Sequence, residues 1–145
     1  MGHALLTEYG LAPIASSPSL TTNATPNAAR NCRWLAPEII NPSQNESGTT
    51  TVESKPADVF AFGMLAVEIL TGKVPFDGQS DGTVVLHILK GGRPEVPANA
   101  QVMGLTSEIW KFLESCWHSN PKKRPTMEKV VRLWERFVED DAITR

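Results

Sequence analysis

Cysteine is scarce in this sequence, with only Cys32 and Cys116 among 145 residues. Two thiols cannot make a disulfide-dense scaffold, and without a Cys-x-x-Cys pair or a Cys/His cluster there is no ligand set for zinc. Long apolar runs are missing too. The longest, residues 59–70, is far shorter than the roughly 20 residues that a bilayer-spanning helix needs. Charge of one sign is also lacking: 14 Lys+Arg against 16 Asp+Glu leave a formal net charge of −2. That excludes nucleic-acid binding by counterion release and adhesion to an anionic membrane, so neither is expected as a partner. A hydrophobic share of 41% is enough for one core and excludes a highly charged disordered chain. The length leaves little room for two full domains.

Targeting signals are absent as well. Residues 1–10 are too short, and too polar at Glu8, for a signal peptide. Leu6 stands where a myristoylation signal wants Ser or Thr. The sequons at Asn23 and Asn45 read as chance matches, since they matter only in a secreted protein. A soluble, cytoplasmic chain is the expectation.

Residues 3–14 read as an extended segment or short strand pair around Gly10. Residues 15–31 are Ser, Thr, Asn, Pro and Ala with almost no large apolar side chain, so they cannot bury a face and are expected to be a mobile loop. Residues 39–54 are assigned to a second loop on the polar run from Asn41 to Ser54. No internal repeat appears.

The rest reads as helices. Ser54 is a plausible N-cap, with Pro56 in the first turn and Asp58 near the positive helix end. The apolar run that follows is hydrophobic nearly all round, which predicts a central helix covered by others and stopped at Gly72. Asp81 is expected to cap a second helix through Lys90, with Val84, Val85, Ile88 and Leu89 inward and Gly91-Gly92 as the stop. Ile109, Phe112, Leu113, Cys116 and Trp117 share one face of a third, beginning at Thr106. Pro125-Thr126 starts a fourth, with Met127, Val130, Val131, Trp134, Phe137 and Val138 inward. Trp110, Trp117 and Trp134 are expected in the core.

Three segments carry a resemblance. Arg33-Trp34-Leu35-Ala36-Pro37-Glu38 contains the Ala-Pro-Glu that ends a kinase activation segment. Lys55-Pro56-Ala57-Asp58-Val59-Phe60-Ala61-Phe62-Gly63-Met64, followed by Glu68-Ile69-Leu70-Thr71-Gly72-Lys73-Val74-Pro75-Phe76, is similar to the central helix of the kinase C-lobe. Cys116-Trp117 and Asn120-Pro121-Lys122-Lys123-Arg124-Pro125-Thr126 resemble that lobe's last interhelical turn. In this order the chain resembles the protein kinase family, in particular its tyrosine-kinase-like branch, over nearly its whole length. The implied fold is mainly α: a kinase-like C-lobe fragment of four main helices after an irregular activation segment with at most a short strand pair. The implied organisation is one partial domain over 1–145. It has an activation-segment-like region at 3–38, a polar loop at 39–54, a helical subdomain at 55–138 and a tail at 139–145.

The resemblance implies roles. Glu38 and Arg124 would form a buried carboxylate–guanidinium pair, for which the planar Arg fork is suited. The alternative is that Glu38 caps a short helix and Arg124 is solvated, but the spacing and the Pro-Thr that follows Arg124 favour the pair. Asp58 would accept hydrogen bonds from amides of the catalytic loop; alone, it is a helix-start aspartate interacting with its own first turn. Trp34 would pack below the substrate-binding loop, although core packing explains it equally. Leu5-Leu6-Thr7-Glu8-Tyr9-Gly10-Leu11-Ala12 aligns with the Asp-Phe-Gly-Leu-Ala that opens the activation segment, placing Glu8 at the magnesium ligand. Glu keeps hard oxygen ligands, but its extra methylene displaces them, and a shift of about 1 Å can cost about a hundredfold in rate. Glu8 is therefore a weakened metal ligand in a complete site, or a solvated strand residue in the chain alone.

Phosphoryl transfer in this family requires parts these residues do not contain. There is no Gly-x-Gly-x-x-Gly, no Val-Ala-x-Lys and no His-Arg-Asp. Arg30-Asn31 stands where the branch often has Gly-Thr. Two readings follow. One is the C-terminal half of an ATP- and magnesium-dependent protein kinase domain, inactive alone, acting on a protein substrate. The other is a pseudokinase-derived binding module, with no cofactor in the isolated chain. Ser16, Ser17, Ser19, Thr21, Thr22 and Thr25 are candidate phosphorylation sites whose phosphate could pair with Arg30 or Arg33, or simply parts of a flexible loop. Apolar surface left by the missing parts predicts self-association.

Overall fold

The computed structural model describes residues 31–41 and 55–144, all within one unit, Asn31–Arg145. Five α-helices run in chain order: α1 (Pro37–Ile40), α2 (Lys55–Thr71), α3 (Asp81–Leu89), α4 (Ser107–Cys116) and α5 (Met127–Thr144). Three short 3-10 turns, Cys32–Trp34, Ala100–Met103 and Pro121–Lys123, link them, and no strand occurs among the described residues. The class is mainly helical, as expected. The candidate strand pair at 3–14 and the loop at 15–31 fall outside the described residues, apart from Asn31.

α2 is the axis of the packing because its sequence supplies an apolar face long enough to touch α4, α5 and all three 3-10 turns. Asp58 sits in its first turn, and Gly72, at φ 66°, ends it, its N–H donating to the Glu68 carbonyl at 2.8 Å. Val59, Phe60, Gly63, Met64, Ala66 and Val67 are buried against α4, α5 and the Cys32–Trp34 turn. The expectation of cover all round fails on the opposite face, where Leu65 is 47% and Ile69 67% exposed. The reason is geometric: the described elements that pack on α2 leave these two positions open.

α3 is capped by Ser80 rather than Asp81; the Ser80 hydroxyl accepts from the Thr83 amide at 3.3 Å. Val84 and Ile88 are buried, while Val85 and Leu89 are only half-buried. α4 begins at Thr106, whose hydroxyl accepts from the Ile109 amide at 3.2 Å, and it buries Trp110, Phe112, Leu113 and Cys116. In α5 the inward stripe centres on Val130 and takes in Leu133, so Val131 turns out to solvent at 47% exposure. At about 100° per residue a single position decides this. With neither Gly nor Pro in Glu139-Asp140-Asp141-Ala142-Ile143-Thr144, α5 continues to Thr144 through residues assigned to a tail.

Ile39 and Ile40, assigned to a loop, belong to α1 and pack against the core. Pro37 at the helix start, where a missing N–H costs nothing, lets the short helix begin immediately after Ala36. The core runs from Ala36 to Val130 and is rich in edge-to-face aromatic pairs, among them Phe62–Trp134 at 5.3 Å and Trp110–Trp117 at 5.5 Å.

Candidate functional site

The site is the junction between α1, the turn before it, and the helices that hold both. Arg124 follows the Pro121–Lys123 turn, and its side chain is fully buried. Nη1 donates to Glu38 Oε1 at 2.6 Å and Nη2 to Oε2 at 2.9 Å, a two-pronged contact. Nη1 also donates to the Pro56 carbonyl at 2.8 Å and Nε to the His118 carbonyl at 2.9 Å. One guanidinium therefore fastens α1, the start of α2 and the turn after α4 together. Glu38 lies in the first turn of α1, where the helix end also favours a negative charge.

Two cations approach the Phe60 ring. The guanidinium carbons of Arg124 and Arg93 are each 5.1 Å from its ring centre. Arg93 donates from Nε to the Trp117 carbonyl at 2.9 Å and from Nη1 to the Gly92 and Ile88 carbonyls at 2.7 and 3.3 Å. Burial, and then the nearby Arg124 charge, lowers its pKa, with Glu38 acting in the opposite direction.

Arg33 is a second fastening that sequence reasoning did not assign. Nε and Nη2 donate to Asp81 Oδ1 at 3.1 and 2.9 Å, Nη2 to the Gln79 carbonyl at 2.6 Å, and Nη1 to the Pro75 and Phe76 carbonyls at 2.8 and 3.0 Å. All five of its N–H groups are used. A phosphate pairing with Arg33 would have to displace these bonds. Phe76, one of the acceptors, has φ 58°, a left-handed conformation that costs a non-glycine residue about 1–2 kcal/mol. The Arg33 bond to its carbonyl is one of the contacts that hold it there.

Trp34 is half-buried against the core, and its indole N–H donates to Glu68 Oε2 of α2 at 3.0 Å. Asp58 is exposed, and no hydrogen bond or ion pair joins it to another described residue. Glu8, Ser16, Ser17, Ser19, Thr21, Thr22, Thr25 and Arg30 lie outside the described residues. Neither thiol is poised as a nucleophile. Burial first, and then the Asp81 charge, raises the Cys32 pKa, and burial pushes Cys116 up to about 12. Among the described residues, no three His, Cys, Asp or Glu side chains gather into a cluster that could hold a metal ion.

Glu68, Arg33, Asp81 and Arg93 thus join the site from the structure. Only Arg33 left a sequence signal, its place directly before Trp34.

A family model described as protein tyrosine and serine/threonine kinase matches residues 2–133. The chain belongs to the protein kinase family. It is 33% identical over 138 residues to a light-sensor protein kinase of Ceratodon purpureus, covering 90% of this chain and 10% of that protein. It is 37% identical over 127 residues to a protein of Acanthamoeba polyphaga mimivirus described as a serine/threonine-protein kinase/receptor, covering 87% and 6%. To the RGS domain-containing serine/threonine-protein kinase A of Dictyostelium discoideum it is 26% identical over 133 residues, covering 92% and 10%. The chain spans a tenth or less of the length of these relatives. No described helix is long and apolar enough to cross a membrane.

Proposed function

We propose that the chain is the substrate-side, C-terminal portion of a protein kinase domain of tyrosine-kinase-like, serine/threonine type, whose reaction is ATP-dependent phosphorylation of a cytoplasmic protein. The observation that supports this most directly is the two-pronged Glu38–Arg124 contact, which anchors the Ala-Pro-Glu turn to the helical subdomain. With Arg33 holding the preceding residues to α3 and Trp34 holding them to α2, residues 32–38 form a fixed platform on which a protein acceptor can be oriented. Orientation is a large part of phosphoryl-transfer catalysis, which relies on positioning and electrostatic stabilisation.

The 145 residues alone are expected to be inactive, because the glycine-rich loop, strand lysine and catalytic loop are not among them. ATP and magnesium belong to the complete domain, where Glu8 would be a weak metal ligand and Asp58 would meet the catalytic loop. Ser16, Ser17, Ser19, Thr21, Thr22 and Thr25 are regulatory phosphosites in this reading. The whole of 1–145 is one partial kinase domain in this reading, with Ile39 and Ile40 in α1 and residues 139–144 in α5 rather than in a loop and a tail.

The exposed Leu65 and Ile69 favour a second reading, a pseudokinase-derived scaffold that uses this apolar stripe to bind a partner or a second copy of itself. An antibody raised against residues 55–138 separates the two. Recovery of a polypeptide larger than 15.9 kDa that phosphorylates Ser or Thr in an added protein supports the kinase reading. Recovery of a 15.9 kDa species with no ATP-dependent transfer supports the scaffold. Calorimetry with ATP–Mg²⁺ checks inactivity of the purified chain, and micromolar binding would contradict it.

A further inference from the structure

A cavity of about 500 Å³ opens between the loop after α2, His87 of α3, and the proline-rich run that begins at Arg93. Its volume is in the range of small-molecule sites, roughly 300–1,000 Å³. Val67, Val74 and Phe76 supply apolar wall, and the carbonyl of Phe76 is one of those that hold Arg33. That wall is therefore braced before any ligand arrives, which lowers the ordering cost of binding.

The charges around the cavity do not cancel at one point. Lys73 is matched by Asp77 at 3.9 Å. Arg124, the cation beside Arg93, is matched by Glu38. Arg93 makes no ion pair among the described residues, and its hydrogen bonds from Nε and Nη1 end on carbonyls, leaving Nη2 without an acceptor among them. Glu95 lines the same cavity and is exposed, unpaired with Arg93. A half-buried guanidinium with a spare donor edge, next to an aromatic wall, suits an anion with a flat or aliphatic body.

We propose that this cavity is a binding site for a small organic carboxylate, which sets its carboxylate on Arg93 Nη2 and its apolar body against Val74 and Phe76. The cavity adjoins the Glu38–Arg124 junction through Arg93, which shares the Phe60 ring with Arg124, but its existence does not depend on the kinase reading.

The test is an NMR titration of the whole chain at pH 7 with 3-phenylpropionate and, separately, with its neutral amide. The expected result is saturation by the acid with a submillimolar Kd. Shifts should be confined to residues 67–79 and 87–99, and binding of the amide should be weaker by about tenfold or more. Glu95→Gln should tighten the acid severalfold by removing a like charge and leave the amide unchanged. Since Arg93→Lys could unfold the turn it ties, Phe76→Gly serves as the second variant. Its left-handed backbone suits glycine, so the fold should persist while acid and amide both lose affinity. Equal affinity for acid and amide, no saturation up to about 10 mM, or shifts located elsewhere would overturn the proposal.

Discussion

The indole of Trp117 presses so closely on Gly63 of α2 that a methyl group built at Gly63 would lie 2.3 Å from Nε1 and 2.8 Å from Cδ1. Glycine in a helix interior is ordinarily a liability of about 0.5–1 kcal/mol, so its presence here reflects close approach rather than backbone freedom. Gly63→Ala should gain that propensity yet lose more through overpacking, for a net destabilisation of about 1–2 kcal/mol. Urea unfolding checks it, and an unchanged midpoint would refute it. Trp117 Nε1 is also buried without a hydrogen-bond partner among the described residues, so adding Trp117→Phe should recover part of the loss in Gly63→Ala.

Glu38→Gln leaves the buried Arg124 charge without its counter-ion. The expected cost is about 3–5 kcal/mol by denaturant unfolding. The double variant Glu38→Gln/Arg124→Met should be less destabilised than the sum of the single changes, because no lone charge remains. Additive costs would show that the two residues do not act as a pair.

Arg33→Lys keeps the charge but cannot reach acceptors in Asp81, Gln79, Pro75 and Phe76 together. Stability should fall by about 1–3 kcal/mol. Amide exchange should accelerate at Gln79, whose N–H bonds to the Phe76 carbonyl at 3.1 Å, more than in the core of α4. Uniform acceleration across the chain would mean that Arg33 does not secure this loop locally.

Cys116 titrates in the alkaline range, with a folded pKa near 12 against an ordinary 9.0. A raised value means that the fold favours the neutral thiol. That contribution is intact below pH 9 and fades as pH climbs from 9 towards 12. The stability difference between wild type and Cys116→Ala should therefore shrink between pH 8 and pH 10.5. At pH 8 both thiols should react with a disulfide reagent only as fast as the chain opens. Rapid labelling of Cys116 in the folded chain would contradict its burial.

Leu65→Glu with Ile69→Lys tests the open stripe of α2. Both side chains are exposed, so stability should change by less than about 0.5 kcal/mol. If the stripe drives self-association, the monomer fraction in sedimentation should rise. An unchanged association state would exclude this face as the contact.

The four longer helices were written in the sequence, although the short α1 was not, because capping residues, stop glycines and 3.6-residue spacing act over a few neighbours. The cap at Thr106, the stop at Gly72 and the buried face of α4 all follow from interactions within a turn or two, although the cap of α3 fell one residue earlier than expected, at Ser80. Membership of the kinase family was legible too, since three segments in fixed order do not require coordinates to be recognised. What periodicity could not reveal was which apolar face finds a neighbour. It put Val131 inward and covered α2 all round, whereas packing leaves Val131, Leu65 and Ile69 open. The long-range polar contacts were equally out of reach. Arg33 meets Asp81 from 48 positions away, and Trp34 meets Glu68 from 34. A guanidinium or indole N–H carries no mark of its acceptor. Only once the helices have packed does burial remove water as the alternative partner, and the tertiary structure then decides which oxygen replaces it.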